Sequence, residues 1–114
     1  MQYKEWLHEW LECYVKPSSK QKTYIRYSEI ILGHIVKALG DYEMSELTPL
    51  VLQCFITELL QSGNVRTGKG LSANSVNGII TVIQNSLKVA CAVGQIKEYT
   101  ADKIKRPKAR ERSR

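Results

Sequence analysis

Along the opening fifteen residues Tyr3, Trp6, Leu7, Trp10, Leu11 and Tyr14 recur at steps of three and four, with Lys4, Glu5, His8, Glu9 and Glu12 between them. A helix turns once every 3.6 residues, so this spacing gathers the apolar side chains on one side and predicts a first amphipathic helix over 2–15. Pro17 cannot donate to a helical ladder, which predicts a break there, and Ser18 or Ser19 offers an N-cap hydroxyl to the next helix. The next periodic stretch predicts that second helix from Lys20 to Leu39, with Tyr24, Tyr27, Ile31, Ile35 and Ala38 inward and Gly40 as its stop.

After the acidic loop Asp41 to Glu46, Thr48 and Pro49 combine a capping hydroxyl with the residue best tolerated at a first helical position. They predict a third helix to Gln61, with Leu52, Phe55, Ile56, Leu59 and Leu60 as its core face. Gly63 to Gly70 holds three glycines and two cations without an apolar period, and reads as a mobile loop. Leu71 and Ser72 then open a fourth helix, whose Val76, Ile79, Ile80, Ile83, Leu87, Ala90 and Cys91 form the cleanest series in the chain before Gly94. Gln95 to Ile104 has room for one further short turn or helix. With no strand-like alternation, the expected architecture is a compact, all-helical four-helix bundle. It should bury Trp6, Trp10, Tyr24, Ile31, Phe55, Leu59, Ile80, Ile83 and Leu87.

Composition narrows the class. With 114 residues, 43% hydrophobic and 25% charged, the chain has the balance of one globular domain, read here as residues 1–104. Lys105 to Arg114, six cations against one acid with Pro107 among them, reads as a basic interdomain linker or disordered tail. The net charge of +6 is segregated. Pro17 to Gly40 carries four cations against one acid and Gly63 to Gly94 three cations and no acid, whereas Asp41 to Ser62 carries four acids and no cation. Cys13, Cys54 and Cys91 are odd in number and far apart, which argues against disulfides or zinc and for small buried hydrophobes in a reducing cytosol. No apolar run has the length of a membrane span, and the N-terminus lacks a signal peptide's uncharged core, so a cytoplasmic location is expected.

Catalytic constellations are missing. His8 and His34 have no partner at metal-ligand spacing, the glycine-rich stretch lacks the order of a P-loop, and no nucleophile elbow occurs. Neither catalysis, a metal nor a cofactor is expected of this chain by itself. Ser19, Lys20, Lys22, Thr23 and Arg26 fall in or just before the first turns of the second helix, where free amides and the helix dipole favour phosphate. On the fourth helix Asn74, Asn77, Thr81, Asn85 and Lys88 lie opposite the apolar stripe, and short amides and hydroxyls of this kind can bond base edges or phosphates.

Several short pieces together resemble the N-terminal SAM-like core-binding domain of phage integrases, of the tyrosine recombinase family. They are Lys22-Thr23 followed by Tyr27, Leu39-Gly40, and Leu47-Thr48 with Gln53, Phe55 and Ile56. Further along come Gly68 to Ser72, Ser75 to Asn77, Leu87 with Ala90, Gly94 to Ile96, and Pro107-Lys108. The resemblance implies a SAM-like bundle that grips duplex DNA at a recombination site with helices two and four, as half of a clamp completed by a separate C-terminal catalytic domain and joined on DNA by other protomers. It implies that Lys22, Thr23 and Arg26 on helix two, and Lys69, Ser72, Asn74, Ser75 and Asn77 on helix four, touch DNA. Tyr27 matches the pattern too, but its apolar phase assigns it to the core. The chain departs from the family where Thr100-Ala101 replaces the usual Asn-Pro. None of its tyrosines corresponds to the family's nucleophile.

Two other classes compete. A helical protein-interaction module would use the polar face of helix four against a protein. A helix-turn-helix repressor requires a turn of 3 to 4 residues, and the connections expected here are longer.

Overall fold

The start of the first helix is tied to the end of the second. Four N–H groups of any helix begin without intrahelical partners. Here Tyr3 donates to the Tyr42 carbonyl at 2.8 Å and Lys4 to that of Gly40 at 3.1 Å, while Gln2 donates to Glu5 Oε1 at 2.9 Å. The structure, a computed structural model, describes residues 1–62, 70–99 and 101–105. Four long helices make up the fold among these residues, and the only strand-like feature is an isolated bridge between Gln2 and Glu43.

Helix α1 comprises α-helical Tyr3–Trp10, π-helical Leu11–Val15 and α-helical Lys16–Ser18; α2 comprises Gln21–Ile30, π-helical Ile31–Ile35 and Val36–Leu39. Helices α3 and α4 span Pro49–Ser62 and Ala73–Ala92. Short 3-10 turns occupy Met44–Glu46, inside the stretch expected as loop, and Ala101–Lys103, where a further short element was anticipated.

The two π segments correct the sequence reading. A π turn closes i→i+5 hydrogen bonds, as Lys16 does to the Leu11 carbonyl and Val36 to that of Ile31. Each wide turn uses an additional residue, so the next inward position arrives late. Val15 is buried at 4% exposure in place of Tyr14 at 39%, and Leu39 is buried in place of Ala38. Pro17 does not break α1 at Val15. Its ring would collide with the Cys13 carbonyl in a regular α-helix, and the wide turn just before it relieves that contact. The helix therefore continues to Ser18, whose hydroxyl donates back to the Tyr14 carbonyl and caps nothing ahead. Lys20, not a serine, occupies the N-cap of α2, without a side-chain cap bond. Ser19 and Lys20 alone join the two helices, a shorter link than the one expected between Val15 and Lys20.

Of the residues expected in the core, Trp6, Trp10, Ile31, Phe55, Leu59, Ile80, Ile83 and Leu87 are buried. Tyr24 is half-buried, because it lies on the first turns of α2, at the margin of the core. Leu60 is exposed, since the chain at Leu71 covers the Leu59 side of the α3 terminus, donating to the Leu59 carbonyl at 2.9 Å. The cysteines are not core residues: Cys13 and Cys54 are exposed and Cys91 is half-buried. Each neighbours apolar residues in sequence but is rotated away from them around its helix.

One polar cluster crosses the core. Tyr3 Oη lies 2.7 Å from Ser86 Oγ, Ser86 Oγ donates to the Ile83 carbonyl at 2.9 Å, and Trp6 Nε1 donates to the Ser86 carbonyl at 2.8 Å. These bonds fix α1 across the middle of α4. At the far end of α4, Gly94 takes φ 87°, a conformation that side chains disfavour, and this turns Gln95 N–H back onto the Ala90 carbonyl at 2.8 Å. The chain then returns along the bundle, burying Ala101 and Ile104.

Candidate nucleic-acid interface

Helices α2 and α4 meet near their beginnings. A Cβ built on Gly78 would lie 3.4 Å from Arg26 Nη2, so the guanidinium rests across a bare stretch of α4 backbone. That contact places the basic first turns of α2 beside Asn74, Asn77 and Thr81 on α4. Lys20, Lys22 and Arg26 are exposed, as are Asn74 and Lys88, while Ser19, Thr23, Asn77 and Thr81 are half-buried. Among the described residues Lys20, Lys22, Arg26 and Lys88 make no ion pair, whereas Lys4 is paired with Asp41 at 3.1 Å.

The hydroxyl residues have structural duties at the same place. Ser72 is the N-cap of α4: its Oγ accepts from Ser75 N–H at 3.2 Å and donates to Ser75 Oγ at 3.2 Å. Thr81 Oγ1 donates to the Asn77 carbonyl at 3.0 Å, one turn back along α4. Lys69 lies outside the described residues, as do the glycine-rich stretch 63–69, Thr100 and the basic segment from 106 onward.

Beside the α1–α2 link, Glu12 accepts a hydrogen bond from Tyr24 Oη at 2.5 Å, and Lys16 Nζ lies 3.7 Å from the same carboxylate and 5.8 Å from the Tyr24 ring centre. The Tyr24 hydroxyl above all, then Lys16 and His8, hold the Glu12 carboxyl below its usual range. The same hydrogen bond and burial raise Tyr24. An acid next to the basic end of α2 is thereby engaged locally. His34, half-buried on α2, is lowered by desolvation and then by Lys37, which favours its neutral form.

Gln84 had no part in the sequence reading, and Gln53 entered it only as one of the residues of the family resemblance. Gln84 Nε2 donates to the Ala101 carbonyl at 3.1 Å, and Gln53 pairs with the Lys105 main chain in both directions. The signal for Gln84 was its position seven residues after Asn77, on the same stripe. Nothing local in the sequence marked the partner of Gln53.

Elsewhere a cavity of about 490 Å³ opens between the start of α3 and the chain after α4, floored by Met44, Leu47, Leu87 and Ile96. Among the described residues no three His, Cys, Asp or Glu side chains cluster as metal ligands, and no helix is long and apolar enough to cross a membrane.

A profile for the phage integrase N-terminal SAM-like domain matches residues 2–60. Among solved structures the chain is similar to the integrase-like domain from Bacillus cereus, at 28% identity and a TM-score of 0.81 over 98% of this chain and 88% of that one. It is similar also to the phage integrase SAM-like domain from Moorella thermoacetica, at 25% identity and a TM-score of 0.76 over 96% of this chain and 88% of that one. A lambda integrase dimer bound to a COC′ core site shares the fold at 23% identity and a TM-score of 0.77, where 98% of this chain covers 38% of that chain. No curated protein sequence matches.

Proposed function

Because the chain belongs to the phage integrase N-terminal SAM-like domain family, through the match over residues 2–60, we propose that it is the core-binding domain of a site-specific tyrosine recombinase. In this reading it grips duplex DNA with the first turns of α2 and the polar stripe of α4. The observation that carries it is the seating of Arg26 against Gly78, which joins the exposed cations of α2 and the exposed Asn74 amide of α4 in one face.

Lys20, Lys22, Arg26, Lys69 and Lys88 act as phosphate contacts, setting register without reading sequence. Ser19, Thr23, Ser72, Ser75 and Thr81 add neutral bonds to the backbone. Asn74 and Asn77 present amides that donate and accept together, as adenine N6 and N7 require. The remaining partners are a C-terminal catalytic domain supplying the chemistry, reached through a linker beginning near Lys105, and further protomers on the same site. The lambda integrase neighbour, a dimer on its core site, supports both DNA and protomers as partners. Such a protein works in the cytoplasm, where its DNA is.

Titration of labelled duplex at several salt concentrations tests this reading. Each neutralised phosphate contributes a slope of about -0.9 to log K against log salt. Lys22→Ala should weaken all sequences alike and flatten the slope by about one unit. A slope near zero would overturn DNA binding and promote the protein-interaction module.

A further inference from the structure

Gly78 lies in the interior of α4, where a glycine lowers stability relative to alanine because it loses more backbone freedom on folding. The packing of the fold does not require it. A Cβ at this position would meet only Arg26 Nη2, at 3.4 Å, and apart from the backbone of α4 itself no other described atom comes within 4 Å. A contact of that length admits a methyl group, but a branched side chain would fill the space that the guanidinium occupies.

Residues three and four apart on a helix are surface neighbours, so Gly78 stands on one face between Asn74, one turn before it, and Thr81, one turn after. The Arg26 guanidinium lies over that face. Between Ala73 and Ala92 the only charged residue is Lys88, which at 1.5 Å per residue stands about 15 Å beyond Gly78. The polar stripe at the start of α4 thus has no cation of its own, and the exposed Arg26 brings one to it from α2.

We infer that Gly78 is a positioning residue for DNA binding: by carrying no side chain it leaves room for Arg26 to cross onto α4, so that a cation from one helix and the polar stripe of the other engage the same stretch of phosphate backbone. The inference rests on the DNA reading above and adds to it a residue that acts through Arg26.

The test titrates labelled duplex at several salt concentrations with the full chain and with variants at positions 26 and 78. Gly78→Ala, whose methyl group fits, should bind within about twofold of the parent and unfold at a higher urea concentration. Gly78→Ile, also a better helix former than glycine, should expel the guanidinium, weaken binding about three- to tenfold and flatten the salt slope by about one unit. In an Arg26→Ala background Gly78→Ile should cost no further affinity, whereas Gly78→Arg, which roots the cation at the vacated place, should restore the lost unit of slope. This relocation decides the matter if Gly78→Ile does not fold. Undiminished binding by Gly78→Ile, equal losses in both backgrounds, a Gly78→Ala variant as weak as Gly78→Ile, or no recovery with Gly78→Arg overturns the positioning role while leaving DNA binding intact. A parent chain with no salt-dependent duplex binding overturns the DNA reading and the role of Gly78 with it.

Discussion

Replacing Ser86 with Ala should destabilise the bundle more than the small change in volume implies. Ser86 is fully buried and has one hydroxyl proton, which it gives to the Ile83 carbonyl at 2.9 Å. Tyr3 must therefore be the donor in the 2.7 Å contact between the two hydroxyls. Tyr3 is itself fully buried, and burial raises its pKa strongly, so no ionised alternative offsets a lost acceptor. In Ser86→Ala the Tyr3 hydroxyl is left in the core without a partner, which costs about 1–3 kcal/mol. Tyr3→Phe leaves Ser86 bonded to the Ile83 carbonyl and should cost only about 0.5–1.5 kcal/mol, the net value of one hydrogen bond. In the double variant both polar groups are gone and the stranded hydroxyl with them, so its stability should lie close to that of Tyr3→Phe. The two losses are then strongly non-additive, as expected of residues in direct contact. Urea unfolding followed by circular dichroism, with unchanged m-values, measures all three. Additive losses, or a Ser86→Ala variant as stable as the parent, would refute the assignment of Tyr3 as a donor that depends on Ser86.

Leu87→Ala should cost about 2–5 kcal/mol in the same assay through lost burial and a residual cavity, with the upper part of the range excluded if the neighbouring 490 Å³ space lets the site relax. In duplex libraries, Asn74→Ala, at an exposed position, should shift base preference at one position by about 1–3 kcal/mol, while Lys22→Ala lowers affinity evenly; an even loss from Asn74→Ala would exclude base readout there. The interaction of Glu12 with Tyr24 is present above the ordinary glutamate range and lost as pH falls through the lowered Glu12 pKa; because Tyr24 is raised, it is lost again at high pH as Tyr24 ionises. An NMR titration should place the Glu12 midpoint below the usual range and move it upward in Tyr24→Phe; no movement would show that the hydroxyl is not the cause.

The sequence by itself determined the number, order and approximate extent of the helices, because each carries enough apolar residues at helical steps to declare its period locally. It also located the Thr48 cap, which accepts from Val51 N–H as its spacing requires, and opened the fourth helix at Leu71 and Ser72, of which Ser72 proves to be the N-cap. The basic and amide residues of α2 and α4 were legible as charge and polarity on given helical faces. Only the tertiary structure decided where α1 and α2 widen into π turns, since a bulge that moves Val15 and Leu39 inward is selected by what those side chains pack against, and packing partners lie far away in sequence. The same is true of Arg26 against Gly78 and of Gln53 against Lys105. Each pair is 52 residues apart, and a contact of that range leaves no period in the chain to read, because it arises from how complete helices settle against one another.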